Sequence, residues 1–310
     1  MRAIRCIAGA PTVVQLPRPT GDGVRVKVAS AGICGSDLHL LAWNLPATFG
    51  HEFAGTLPDG RAVAVEPIAP CRQCEACVSG AYNLCITGPA MVFGVGHDGG
   101  MADECVVPES AIVALAAGVA LGDACLVEPI AVSVHGVRRG GVRGGHRVGV
   151  IGGGTIGLTS LVAAQAAGAQ VDLLARHDRQ REAAARLGAG ELGNGYDVMI
   201  EAAGTASALA DAVERCKPGG TVVLVGSYWD SGPEIPGQLV SMKEITLVPS
   251  SMYGRVGPSR DFEVAASILA TRPEIGAALI THRFSLDAAA EAFATAQDRA
   301  AGAIKVVLEP

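Results

Sequence analysis

Short runs of alternating apolar and polar residues fill the first 128 positions. Residues 23–29 (GVRVKVA) and 61–66 (RAVAVE) carry the period of two that a half-buried strand requires, and residues 102–108 offer another. Gly and Pro interrupt these runs often, which predicts a mainly β domain with long loops. The first residues (MRAIRCIAGAPTVV) read directly into a strand. Near Glu128 the rhythm lengthens. Residues 129–140 read as a helix, followed by an apolar strand at 147–152, a glycine turn and a helix at 156–167. Strands at 170–175, 197–202, 221–226 and 243–248 then alternate with helices at 179–187 and 209–215, with a last helix at 259–270. Strands alternating with helices make βαβ units around a parallel sheet. The predicted class is therefore α/β: a doubly wound parallel-sheet domain over 129–270, and a mainly β domain over 1–128 and 271–310 that closes with a strand at 303–309.

The length of 310 residues suits about two domains. Lys plus Arg is 24 and Asp plus Glu is 30, so the net charge is −6. Without a basic stripe, no nucleic-acid partner is expected. A chain 49% hydrophobic and 17% charged is not disordered. Only 4% of residues are aromatic, so Ala, Val, Leu and Ile must build the core. Residues 148–171 lack charge and are long enough to resemble a membrane span. The six glycines and two glutamines among them fit a strand, a tight turn and a helix better, so no membrane partner is expected. The N-terminus lacks a full apolar signal core, which points to the cytoplasm.

Four of the nine cysteines, Cys71, Cys74, Cys77 and Cys85, fall within fifteen residues at the spacing C-x2-C-x2-C-x7-C. Such clustering in a cytosolic chain favours metal over disulfides. Four thiolates in a polar loop close a tetrahedral shell around zinc and leave no position for substrate, so a lobe at about 67–90 is expected to hold a structural ion. Cys6, Cys105, Cys125 and Cys216 read as small apolar residues.

Gly152-Gly153-Gly154-Thr155-Ile156-Gly157 satisfies G-x-G-x-x-G between an apolar strand and a helix, the context of a Rossmann dinucleotide-binding turn. Gly152 permits the turn, Gly154 admits the pyrophosphate to the backbone, and Gly157 lets the helix pack on the strand. The amides of the helix start, at Thr155 and Ile156, face the phosphates. Selectivity for NAD ordinarily uses an acid at the tip of the second strand. That strand ends at Ala175, followed by Arg176 and His177; Asp172 is too early and Asp178 too late. Arg176 suits a 2′-phosphate, so NADP is favoured over NAD. Asp178 in a looped-back turn keeps NAD open.

The segments GICGSDLH (32–39) and GHE (50–52), the four-cysteine spacing, EPIAVSVHG (128–136), GGGTIG (152–157) and the ending GAIKVVLEP together identify the chain as similar to the zinc-dependent medium-chain dehydrogenase/reductase family, nearest to its sorbitol dehydrogenase type. The resemblance covers essentially the whole chain. It implies a GroES-like catalytic domain over 1–128 and 271–310, with Cys34, His51 and Glu52 holding a catalytic zinc and Glu128 as a second acid beside the metal, ligating directly or through water. With the cysteine lobe, two zinc ions per chain are implied. The implied chemistry is hydride transfer between a secondary alcohol, polyol or sugar (or the corresponding ketone) and NAD(P). A relay from Ser36 to His39 would carry the proton to solvent. The resemblance also implies a homodimer or homotetramer.

The chain is short for that family. Cys34 to His51 is 17 residues and His51 to Cys71 is 20. The pocket wall over residues 40–49 is thus altered, and Trp43, Phe49 and Phe93 are candidates for lining it, although ordinary packing also accounts for them. Two other functions compete: a carbonyl reductase in the biosynthesis of a modified sugar or similar metabolite, and a non-catalytic nucleotide-binding relative.

Overall fold

A computed structural model describes residues 1–229 and 232–310. The chain forms two compact units, Met1–Glu128 with Gly254–Pro310, and Pro129–Tyr253.

In the first unit, strands run side by side in the order Ile280–Ser285, Lys305–Glu309, Val24–Ile33, Glu52–Thr56, Ala62–Val65 and Ile112–Ala114, and Glu104–Val107 also pairs with Val24–Ile33. Val24–Ile33 outruns its predicted end at residue 29 because its second half does not alternate. Residues 31–33 are all buried, as expected for a central strand flanked by Lys305–Glu309 on one side and Glu52–Thr56 on the other. Arg2–Ile7 and Ala10–Gln15 form an antiparallel hairpin. The core of this unit is aliphatic with a few aromatics; Phe49 meets Phe293 edge-on at 6.0 Å between ring centres.

The second unit holds a parallel sheet in the order Gly190–Glu191, Gln170–Leu174, Arg147–Ile151, Tyr196–Glu201, Cys216–Leu224 and Thr246–Pro249. In chain order this is third, second, first, fourth, fifth, sixth, the doubly wound arrangement, with the direction of winding reversing between Arg147–Ile151 and Tyr196–Glu201. Helices Thr155–Ala166, Asp178–Arg186 and Ala206–Arg215 connect the strands. The uncharged stretch 148–171 is divided between two strands and the first of these helices. Among the described residues, no helix is long and apolar enough to cross a membrane.

Three further elements differ from expectation. The edge strand Gly190–Glu191 is two residues long and too brief to show periodicity. The last strand, expected at 243–248, begins only at Thr246. A helix occupies Gly237–Met242, and Lys243, its C-terminal cap, turns its ammonium onto the carbonyls of Val213, Glu214 and Cys216 at 3.2, 2.5 and 2.9 Å. The third difference is the helix expected at 259–270. It forms as Asp261–Thr271 but groups with the first unit, so the boundary falls at Gly254 and not at 271. Local charges explain this: Arg260 pairs with Glu66, and Asp261 accepts the Gly254 amide at 2.8 Å.

Lys243 supplies a cation where helix Ala206–Arg215 leaves its last carbonyls bare. Lys243→Met is expected to cost about 1–2 kcal/mol, read as a lower denaturation midpoint with an unchanged far-UV circular dichroism spectrum.

Candidate active site

Strand Val24–Ile33 runs into Cys34, which caps the short helix Gly35–Leu40. Asp37, on the first turn, reaches back so that its Oδ2 accepts the Cys34 amide at 2.9 Å, the reciprocal half of a capping box. Its other oxygen lies 3.4 Å from His51 Nδ1. Neither of these two atoms has a hydrogen-bond partner, so the contact is one of opposite charge, and it lies on the Nδ1 side of the ring, away from Nε2. Nε2 is 3.2 Å from Ser36 Oγ. Burial opposes a proton on His51, but the charge of Asp37 and then the Cys34 sulfur outweigh it, so its pKa stands well above the usual imidazole value. A bound dication would replace that proton.

Glu52 opens the next strand directly opposite Gly32. One ligand atom each from Cys34, His51 and Glu52 gathers within 4.8 Å. A thiolate, an imidazole and a carboxylate are the donor set of an open zinc site. Glu52 has a second claimant. Lys305 Nζ lies 2.8 and 2.6 Å from its two carboxylate oxygens and also donates to Ile33 O at 3.1 Å. The two side chains are 2% and 1% exposed. Burial disfavours the ammonium, yet Glu52, with a further contribution from Cys34, raises the Lys305 pKa. Glu128 is buried in the first turn of helix Val127–Arg139 and is not one of the three gathered groups. Ser36 and His39 stand three apart on helix Gly35–Leu40 and so share a face, Ser36 half-buried and His39 exposed. Phe49 and Phe93 are core residues, while Trp43 is largely exposed.

The sulfurs of Cys71, Cys74, Cys77 and Cys85 also gather within 4.8 Å. The Thr87 hydroxyl and the Cys71 amide hold the Cys85 thiol down at about 6, whereas burial and the neighbouring sulfurs push Cys77 up to about 12. Four thiolates at this separation repel strongly, and a dication relieves them. Tyr82, inside this loop, donates to Glu66 at 2.6 Å and to Gly254 O at 3.0 Å, fastening the lobe to its own unit.

In the second unit Gly152 has φ +117°, and Gly157 touches it so closely that a Cβ on Gly157 would stand 1.7 Å from Gly152 O. Around Gly154 there is open space. Helix Thr155–Ala166 starts with no side-chain cap and no acid in its first turn, leaving its amides for an anion. Ala175 packs on Gly153, which accounts for its small side chain. Arg176 is exposed just beyond it. Asp172 is engaged by Tyr196 Oη at 2.7 Å, and Asp178 is paired with Arg181.

Asp37 and Lys305 are the site residues that pattern reading missed. Asp37 leaves a local trace, an acid three residues after a capping position. Lys305 leaves none, since its partner is 253 positions away.

Residues 20–117 match the alcohol dehydrogenase GroES-like domain and residues 123–309 the glucose dehydrogenase C-terminus. The L-galactonate-5-dehydrogenase of Escherichia coli is 32% identical over 315 residues, spanning 90% of this chain and 89% of that protein. The sorbitol dehydrogenase of Macaca fascicularis is 32% identical over 326 residues, spanning 90% and 87%. A Sinorhizobium meliloti protein described as a zinc-binding dehydrogenase and solved bound to NADP superposes with a TM-score of 0.86 at 30% identity, covering 100% of this chain and 99% of the other.

Removing one member of a buried ion pair strands the other. Lys305→Met is expected to destabilise the metal-free chain by about 3–5 kcal/mol, and the double variant Glu52→Gln/Lys305→Met to recover most of that loss in the same denaturation measurement.

Proposed function

The chain belongs to the zinc-dependent medium-chain dehydrogenase/reductase family, and on that premise we propose that it moves a hydride between a polyol or sugar-type secondary alcohol and NADP, with one zinc at Cys34, His51 and Glu52 and a structural zinc at Cys71, Cys74, Cys77 and Cys85. The observation that carries this reading is the gathering of Cys34, His51 and Glu52 with Asp37 behind the imidazole. A zinc ion held by these residues would supply a Lewis acid that lowers the pKa of the substrate hydroxyl, and a bound nicotinamide would supply the hydride acceptor. Asp37 anchors the Cys34 backbone amide and sets its other oxygen toward His51, which supports these two as the fixed donors. Glu52 is shared with Lys305, so it is the donor that the protein can withdraw. Ser36 would accept the substrate hydroxyl proton as it releases its own toward His39, on the same helix face, and His39 would hand a proton on to water. Glu128 serves as an additional acid near the metal.

The preference for NADP is supported by the engagement of both candidate acids, Asp172 with Tyr196 and Asp178 with Arg181, while Arg176 stays exposed. A polyhydroxylated substrate is supported by the activities of the L-galactonate and sorbitol dehydrogenases. NADP use also favours the reductive direction, from ketone to alcohol. Exposed Val78, Leu84 and Ile86 on the cysteine lobe (76, 65 and 83%) support a homodimer or homotetramer. The nine free thiols suit the reducing cytoplasm.

Two measurements test this. In fluorescence titrations NADPH should bind more tightly than NADH, and Arg176→Ala should weaken NADPH about tenfold with NADH unchanged; tighter NADH binding rejects the phosphate assignment. Metal analysis should give two zinc ions per chain, falling to one in Cys34→Ala. That variant should lose turnover but keep dinucleotide binding, and retained turnover would falsify the metal mechanism.

A further inference from the structure

At the carboxyl end of the central strand Tyr196–Glu201 lies a carboxylate that the mechanism above does not use. Glu201 is fully buried. Its Oε1 accepts the amides of Ala203 and Gly204, both at 2.8 Å, and its Oε2 accepts the phenol of Tyr228 at 2.7 Å. Its backbone carbonyl takes the amides of Val225 and Gly226 at 3.0 and 2.9 Å. One residue therefore joins two loops, 202–204 after the fourth strand of the sheet and 226–228 after the fifth. Both loops are fitted around that carboxylate. A Cβ on Gly226 would stand 2.6 Å from Glu201 Oε2 and 2.4 Å from the Gly204 amide, and one on Gly204, whose φ is +67°, would meet Ser227 O at 2.5 Å.

The joined loops abut the phosphate turn. A Cβ on Gly152 would lie 3.0 Å from both Ala202 C and Ala203 N. This contact falls where the winding reverses, between strands Arg147–Ile151 and Tyr196–Glu201, the position at which doubly wound sheets take their ligand beyond the strand carboxyl ends. Each half of such a sheet serves one mononucleotide. The glycine turn and Arg176 commit the first half to the pyrophosphate and the adenosine side, which leaves the nicotinamide side to the second half, whose first loop is 202–204. A buried charged acceptor is a costly way to hold a plain turn, since its desolvation is offset only while all of its donors stay in place. Held in that way, the loop is rigid before ligand arrives.

We infer that Glu201 and Tyr228 are positioning residues for the nicotinamide half of the dinucleotide, fixing residues 202–204 as the bed on which that half rests. The inference rests on the dinucleotide reading above. It requires a defect confined to one end of the ligand. Wild type, Tyr228→Phe and Glu201→Gln are titrated with NADPH and with 2′-phospho-ADP-ribose, and with NADH and ADP-ribose as a second pair. Binding is followed by calorimetry, and the environment of the reduced ring by its emission. Tyr228→Phe should weaken the intact dinucleotide about tenfold and lower the emission gain of the bound ring, with fragment affinity unchanged. Glu201→Gln keeps an acceptor for the two amides and a donor for the Tyr228 oxygen, so it should fall between. Parallel losses for dinucleotide and fragment in Tyr228→Phe would show general loosening and overturn the inference, as would no loss for either. Failure of the wild type to bind any of the four ligands overturns the dinucleotide reading, and this inference with it.

Discussion

Lys305 and Glu52 meet in the middle of the first unit's sheet, and the candidate metal centre depends on that meeting. Neither charge is tolerable alone at such depth, where an unpaired ion loses several kcal/mol of hydration. Both are buried only if strand Lys305–Glu309 lies against Val24–Ile33 in the observed register, and Glu52–Thr56 on its other side in its own. A slip of one residue would turn every side chain of a strand to the opposite face and part the charges. The same register brings Cys34 to the end of the central strand and Glu52 to the start of its neighbour. It also dictates Gly32, because a Cβ there would stand 2.0 Å from Glu52 Oε2. The pair thus sets where the donors are before any metal is considered.

The second unit meets its constraint by opposite means. Where the first unit presents side chains, the second removes them so that backbone can approach backbone. Gly157 against Gly152, Gly152 against residues 202–203, and Gly226 against Gly204 are successive close approaches that run along the carboxyl ends of the strands. A phosphate can then be met by main-chain amides, which carry no conformational freedom to lose. Glu201 is the exception, a side chain turned inward so that it too acts on amides.

What could be read from the sequence follows from the range of the interactions. The four-cysteine spacing, the glycine turn and the alternation of 23–29 are local patterns, and each corresponds to an element or cluster that the structure contains. The βαβ order was legible because helix and strand periods differ over ten residues. Strand 243–248 was displaced because the role of Lys243 is defined by carbonyls about 30 positions earlier, which no window around it contains. The boundary at Gly254 turned on Arg260 meeting Glu66, 194 positions apart. Asp37 was within reach as a capping residue. Its contact with His51 was not, since that depends on how a loop returns. Tyr228 gives no sign of Glu201, and Lys305 gives none of Glu52.

That difference in range sets an order of events during synthesis. The cysteine lobe closes within fifteen residues, so its sulfurs can come together soon after Cys85 leaves the ribosome, and a bound ion there would organise the emerging chain early. The candidate centre has Cys34, His51 and Glu52 in place by residue 52, yet Glu52 gains its partner only when residue 305 has been made. For the intervening 253 positions its carboxylate lacks the ammonium that later holds it. The last strand closes that interval by bringing the Lys305 ammonium onto Glu52.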